Sequence, residues 1–258
     1  MITRRHIVIG MASLPAALFA STLVHPAFAQ AAAPALTGDS LATADGDVII
    51  HPVAHASLVL GWKNHVIYVD PVGAALFAGL PPPTAILITH GHGDHFDLPT
   101  LEAVGGGAPI LTSQEVFDKL PEALKANAKA IANGEEGMVD GLQVTAIAAH
   151  NTTPDRMNYH PVGVGNGYLI GFADKIVYIA GDTEPTPEML ALKNIAVAFL
   201  PMNLPYTMTA EQAAEAVNTF KPAIVYPYHD RGTDLEPFKA AADPAVEVRL
   251  RDWYPSGA

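Results

Sequence analysis

Cysteine is absent from the 258-residue chain, so no disulfide can brace the fold in an oxidising compartment. A chain of this length that is 50% apolar can bury a core without such cross-links. An excess of positive charge is absent too. Fourteen Lys and Arg face 26 Asp and Glu, a net of −12, which makes nucleic acid and anionic membrane poor partners. Long apolar runs are also missing. The N-terminal stretch from Ile7 to about Ala20 is interrupted by Gly10, Ser13 and Pro15 and falls short of the ~20 apolar residues a spanning helix needs.

That N-terminal stretch has the layout of an export signal: Arg4 and Arg5, an apolar segment, then Ala27-Phe28-Ala29 before Gln30. Thr3-Arg4-Arg5-His6-Ile7-Val8 resembles a twin-arginine signal, which implies a periplasmic protein with no stable membrane anchor after cleavage. Cleavage after Ala29 removes two basic residues and no acidic ones, taking the net charge to −14. Residues 30–46, small and polar without periodicity, read as a flexible leader.

From Asp47 onward, short β-branched runs alternate with Gly and Pro punctuation and a few helical stretches, the pattern of a single α/β domain over 47–258. An internal echo divides it. "LVLGWKNHVIYVD" (58–70) aligns with "YLIGFADKIVYIA" (168–180), matching Gly61 to Gly171, Trp62 to Phe172 and Tyr68 to Tyr178. Each copy reads as strand, tight turn, strand, leading to an acidic residue, Asp70 or Asp182. Buried-strand runs follow at 85–90 and 197–203, with helical segments around Pro99 to Val104 and over 209–220, where Thr209 and Gln212 form a capping-box pattern. The chain reads as two similar halves.

Within the first half, "THGHGDHF" (89–96) packs three histidines and an aspartate into six positions separated only by glycine. Imidazole nitrogen and carboxylate oxygen are ligands for zinc-like ions, and Gly91 and Gly93 leave the backbone free to converge them. His90 and His92 can face one ion, Asp94 and His95 a second. Three further candidates each end an apolar run, where strands of open α/β sheets present functional loops: His150 after "VTAIAA", Asp182 after "VYIAG" and His229 after "AIVYPY".

The H-x-H-x-D-H pattern of His90–His95 strongly resembles the signature of the metallo-β-lactamase superfamily, and the resemblance runs over residues 47–258. It implies a four-layered αββα sandwich of two pseudo-symmetric halves. It implies that His90, His92 and His150 hold one metal, that Asp94, His95 and His229 hold the other, and that Asp182 bridges them. "HASLVLGWKNHVIYVDP", "TMTAEQAAEA" and "PYHD" look like the branch of ascorbate-6-phosphate lactonase. True metallo-β-lactamases usually carry Cys or Ser where Asp182 stands, which argues against β-lactam hydrolysis.

The activity so implied is hydrolysis of a small ester, lactone, amide or phosphodiester by water activated between two divalent ions, zinc first, with manganese or iron as alternatives. Asp94 would ligate and orient the nucleophile. Asp70 is the candidate to hold a metal-bound imidazole from behind. His55, His160, Arg156, Tyr206 and Arg231 are candidates to touch the small-molecule substrate. The competing readings are a mononuclear iron oxygenase on the same fold, such as a persulfide dioxygenase, and a metal-binding protein without catalysis.

Overall fold

The computed structural model describes residues 35–255; the export signal expected over 1–29 lies outside the described residues. The first half opens with β1 (Asp39–Leu41), followed by a meander of β2 (Val48–Ala54), β3 (Ser57–Trp62) and β4 (His65–Val69). Three parallel strands, β5 (Ala85–Ile88), β6 (Ile110–Thr112) and β7 (Ala128–Ala130), complete a seven-stranded sheet in sequential order. The second sheet repeats the plan. Its strands are β8 (Glu136–Val139), β9 (Leu142–Ala149), β10 (Gly165–Phe172), β11 (Lys175–Ile179), β12 (Val197–Pro201), β13 (Ile224–Tyr228) and β14 (Glu247–Val248). In each sheet the first three pairings are antiparallel and the last three parallel.

Three apolar clusters define the layers. The central one takes Val48, Ile50, Leu58, Leu60 and Ile67 from the first sheet and Val144, Tyr168, Ile170, Phe172 and Phe199 from the second. Outside the first sheet, α1 (Leu98–Val104) and α2 (Gln114–Lys119) cover Val59, Ile86 and Ile88. Outside the second, α4 (Pro187–Leu190), α5 (Ala210–Phe220) and α6 (Glu236–Ala241) cover Tyr178, Ala198, Leu200 and Val225, while α3 (Glu122–Lys125) lies beside β7. The result is a four-layered αββα sandwich. Thr209 caps α5 through the expected reciprocal bonds with Gln212, which satisfies two otherwise orphaned N–H groups. Among the described residues no helix is long and apolar enough to cross a membrane.

The internal echo is a real structural register. Gly61 pairs with Val66 as Gly171 pairs with Ile176, and the Trp62 and Phe172 rings meet across the sandwich with centroids 5.8 Å apart. Its register and one departure from it shape the site. Asp70 N–H bonds to Leu87 O as Ala180 N–H bonds to Phe199 O, so Asp70 is the counterpart of Ala180, as in the aligned segments, and Asp182 lies two residues further on. The departure is in the hairpins. Strands β2 and β3 are joined by His55 and Ala56 alone, whereas β9 and β10 are joined by residues 150–164.

Residues 30–46 were expected to be a loose leader, yet Asp39–Leu41 pair with Ile50–Val48 at the edge of the first sheet. Composition hid this because the strand depends on distant partners. Asp39 accepts hydrogen bonds from Arg251 Nε and Nη2 and from Tyr226 OH, each at 2.8 Å, clasping the first sheet's edge to the second.

The Arg251 hydrogen bonds are the main reason the Asp39 carboxyl titrates below its ordinary value, with Tyr226 adding to them against a cost from burial. A depressed native value contributes stability above the unfolded value of about 3.9 and loses it as pH falls through the native one. Asp39→Asn is therefore expected to cost about 1 kcal/mol at pH 7, the discounted worth of a part-exposed ion pair. Urea denaturation should show the gap closing as the pH is lowered through 4 toward 2; a gap of equal size at both ends would remove the ion pair from the account.

Candidate metal centre

The carboxyl ends of β2, β5, β11 and β13 lie together at one rim of the sandwich, the place where such sheets leave their loops free for chemistry. The site is built from the inside outward, starting at Asp70. Its side chain is fully buried, and a positive φ of 44° turns it back under the motif loop. One oxygen accepts Thr89 N–H at 2.7 Å; the other accepts Thr89 Oγ1–H at 2.7 Å and His95 Nδ1–H at 2.8 Å. With Nδ1 donating backward, His95 aims Nε2 into the crevice. Thr89 Oγ1 likewise faces His90 Nδ1 at 3.0 Å, which leaves His90 Nε2 pointing inward, 3.0 Å from His92 Nδ1.

Glycine does its work here by close approach. A Cβ on Gly91 would lie 2.9 Å from the Glu115 carboxylate and 2.5 Å from Lys119 Nζ, the groups that clip the loop to α2 by accepting from Gly91 N and donating to Gly91 O. Gly181 has φ 64°, and a Cβ there would lie 2.9 Å from Asn166 O. Only glycine lets β11 turn so sharply and deliver Asp182.

Two clusters result, each with four donor atoms within 4.8 Å of one another: His90, His92, His160 and Asp182 in one, and His55, Asp94, His95 and His229 in the other. Asp182 joins them. Its Oδ2 is 3.2 Å from both His160 Nε2 and His229 Nε2, and its Oδ1 is 3.3 Å from His95 Nε2. Asp94 Oδ2 is 3.0 Å from His55 Nε2 and 3.5 Å from His229 Nε2.

In this company the groups titrate away from their usual values. Burial, reinforced by neighbouring imidazoles, pushes the pKa of His90 and His92 down, favouring the neutral form that ligates metal. Burial alone would raise Asp182, but the facing His229 and His95 hold it well below the carboxylate range. Asp94 is similarly lowered against burial by the facing His229 and His55 imidazoles. His95 goes the other way: Asp182 and Asp70 on either side raise it despite burial.

Cations are what this arrangement attracts. His95 Nε2, His160 Nε2, His229 Nε2 and Asp182 Oδ1 are buried without a hydrogen-bond partner, which is costly unless something else satisfies them. An all-imidazole and carboxylate donor set fits zinc-like divalent ions. The residues present therefore fit a metal at this position.

His150, expected in the first cluster, is in neither. Its Nδ1 lies 3.0 Å from Asn151 O, and His160 occupies the place. His150 is the counterpart of His55, each directly following the alanine that ends its strand. The long 150–164 connection then folds over the rim. Glu184, fully buried, holds it there by accepting Thr152 N–H at 2.6 Å and Thr153 N–H at 2.5 Å and by pairing with Arg156. Arg156 also donates to Thr207 O at 2.8 Å, so it ties the loop down and does not line the cavities. Asn151 N–H bonds to His160 O, and His160 Nδ1–H donates to Tyr206 O at 3.1 Å, which presents Nε2 to Asp182. Sequence reasoning missed Glu184; its only signal was a second acid close behind Asp182.

Three cavities meet at the clusters. One of 460 Å³ runs past His90, His92 and His160 to Glu115 and Asn158. A second, of 320 Å³, lies over Asp94, Asp182 and His229 and is walled by Asn203, Tyr159, Tyr206 and Arg231. The third, of 310 Å³, reaches Asp94 and His55 from the side of Leu76, Trp253 and Tyr254. Of the substrate candidates, Tyr206 and Arg231 line the second, whereas His55 and His160 are part of the clusters themselves.

Comparison with known proteins agrees with this architecture. Residues 65–229 match the family described as the Beta-lactamase superfamily domain. A UPF0173 metal-dependent hydrolase of Thermoplasma acidophilum is 34% identical over 204 residues, covering 73% of this chain and 88% of the relative. The crystal structure of a metal-dependent hydrolase from Parabacteroides distasonis is 41% identical, with a TM-score of 0.77 over 84% of this chain and 99% of that one. The metallo hydrolase Igni18 of Ignicoccus hospitalis, 24% identical with a TM-score of 0.66 over 79% of this chain and 94% of its own, shares the fold. The chain belongs to the beta-lactamase superfamily, and it is a metal-dependent hydrolase.

Replacing Asp70 by asparagine keeps the shape but puts an amide where His95 Nδ1–H needs an acceptor. Metal affinity is expected to fall by about 10- to 100-fold, the usual cost of losing a carboxylate behind a ligating imidazole, with far-UV circular dichroism unchanged. Competition against a chromophoric chelator reads this directly, and parent-like affinity in Asp70→Asn would show that Thr89 alone orients the ring.

Proposed function

We propose that this superfamily member works with two divalent ions, one held by His90, His92 and His160, the other by Asp94, His95 and His229, with Asp182 between them. The observation that carries the reading is Asp182, whose two oxygens face donors of both clusters at 3.2 to 3.3 Å. We assign zinc as the metal. When bound, such ions supply Lewis acidity, making water a nucleophile at neutral pH and polarising a carbonyl or phosphoryl oxygen.

The chain's own groups do the rest. Asp94, its side chain 40% exposed to the cavities, is held ionised and accepts a hydrogen bond from the attacking water, which sets its direction. His55 Nε2–H fixes the Asp94 carboxylate, and Tyr254 OH in turn lies 2.7 Å from His55 Nδ1. Burial of Asp70, His90, His95 and His229 keeps bulk water away from the base of the site, where electrostatic contacts are strongest.

The substrates proposed are small esters, lactones, amides or phosphodiesters; the likeness to the lactonase branch places lactones first in a panel. On the strength of the N-terminal sequence, the site of action is the periplasm.

His160 and His150 make the sharpest test because the resemblance and the geometry disagree about them. Elemental analysis of purified protein is expected to give close to two metals per chain. His160→Ala should lose about one of them, and with it turnover falls to background, since an emptied position removes its Lewis acid. His150→Ala should keep both metals and most activity. The opposite pair of results would return the ligand role to His150.

A further inference from the structure

Four arginines fall within the described residues, and three are pinned to carboxylates: Arg156 to Glu184, Arg249 to Glu247 and Arg251 to Asp39. Arg231 differs. Its guanidinium has no hydrogen bond or ion pair to a described residue, although the chain carries 26 acidic residues against 14 basic ones. Its backbone is held at φ 39°, outside the region favoured by non-glycine residues, and its N–H donates to Tyr254 OH at 2.7 Å. That hydroxyl also lies 2.7 Å from His55 Nδ1. A strained backbone anchored to the cluster is how a side chain is aimed. Arg231 lines both the cavity over Asp94 and His229 and the one behind His55, two residues beyond a metal-cluster histidine.

Tyrosine rings line the same two cavities. Among the described residues seven large apolar side chains are exposed: Met138 on β8, and six others, of which Met157, Tyr159 and Val162 come from the 150–164 loop, Leu204 and Tyr206 from the segment that loop is tied to, and Tyr254 from beside Arg231. Tyr159 and Tyr206 meet edge to face, 5.0 Å between centroids, in the wall opposite Arg231. Of these, Tyr159, Tyr206 and Tyr254 line the cavities, and exposed rings at a cavity mouth mark a binding surface.

We infer that the substrate is an organic anion: Arg231 takes a carboxylate or phosphate group as a charge-assisted, two-pronged hydrogen-bond partner, while the body of the molecule lies against Tyr159 and Tyr206 and presents its scissile bond to Asp94. This rests on the hydrolase reading of the site and narrows its substrate class. An unpaired guanidinium also offsets the repulsion that Asp94 and Asp182 would impose on an anion entering an acidic protein.

The test measures binding, so it stands apart from turnover. Calorimetric titration of the metal-loaded protein with phenylacetate and with its neutral analogue phenylacetamide is expected to show the anion binding about tenfold more tightly or better, the worth of a hydrogen bond to a charged group. Arg231→Gln should abolish that preference by weakening phenylacetate alone, with metal content unchanged, and Arg231→Lys should restore part of it. Three results would overturn the inference: no preference in the parent chain, a preference that survives in Arg231→Gln because the carboxylate sits on the metals, or equal weakening of both probes, which would make Arg231 a structural residue. A protein that holds no metal would sink the hydrolase mechanism instead and leave the probe preference readable.

Discussion

A crevice lined by six imidazoles and two carboxylates cannot satisfy itself. His90, His95, His160 and His229 are almost wholly removed from water, and their inward nitrogens surround Asp182, which has one oxygen without a partner. Each neutral imidazole can donate from only one nitrogen, and at His90, His95 and His160 that proton is engaged behind the site, by Thr89, Asp70 and Tyr206. What remains is His95, His160 and His229 Nε2 and Asp182 Oδ1, buried together with no hydrogen-bond partner from the protein. The fold tolerates such a centre because a cation completes it, and the buried bonds behind the ring hold the donors in place.

Duplication explains how one sheet plan could build so lopsided a site. Both halves run three antiparallel and three parallel pairings, and both place the ends of their parallel strands at the same rim. The first half contributes through the contiguous loop after β5, pinned by Asp70 from its own sheet. The second contributes single residues from separate strand ends, Asp182 and His229, together with the 150–164 loop. In the first half the matching hairpin is two residues long, so His55 stays at the rim and meets Asp94 directly. In the second, the added length brings into the cluster a histidine ten positions further along the chain, His160 in place of His150.

Holding that loop is the task of a second polar network. Glu184 gathers two backbone N–H groups, two threonine hydroxyls and Arg156 around one buried carboxylate, and Gln212, already committed to the cap of α5, touches both Arg156 and Glu184. The loop is thereby fastened to the first turn of the helix behind the second sheet. A connection of this length would otherwise carry a large conformational entropy. The buried ion pair offsets it and fixes His160 within reach of Asp182, while the loop's Tyr159 stays exposed in the cavity walls.

The sequence by itself determined the fold class, the halves and most of the residues that gather in the candidate metal site. Alternating apolar runs encode strands locally, the capping box at Thr209 encodes a helix start, and the ligands of "HGHGDH" are contiguous, so their convergence needs only a short loop. Asp182 and His229 were legible because a strand's end fixes its next residue. His160 was not, because its position depends on how residues 150–164 fold back, and that is decided by Glu184, Tyr206 and Thr207, which lie far along the chain. The pairing of Asp39–Leu41 and the role of Arg156 were hidden for the same reason: a small polar segment becomes a strand, and an arginine becomes a brace, only when distant partners supply their hydrogen bonds. Asp70 stands opposite Ala180 in the aligned repeats, two residues short of Asp182, and the sheets keep that offset, which puts one carboxylate behind the imidazoles and the other among them.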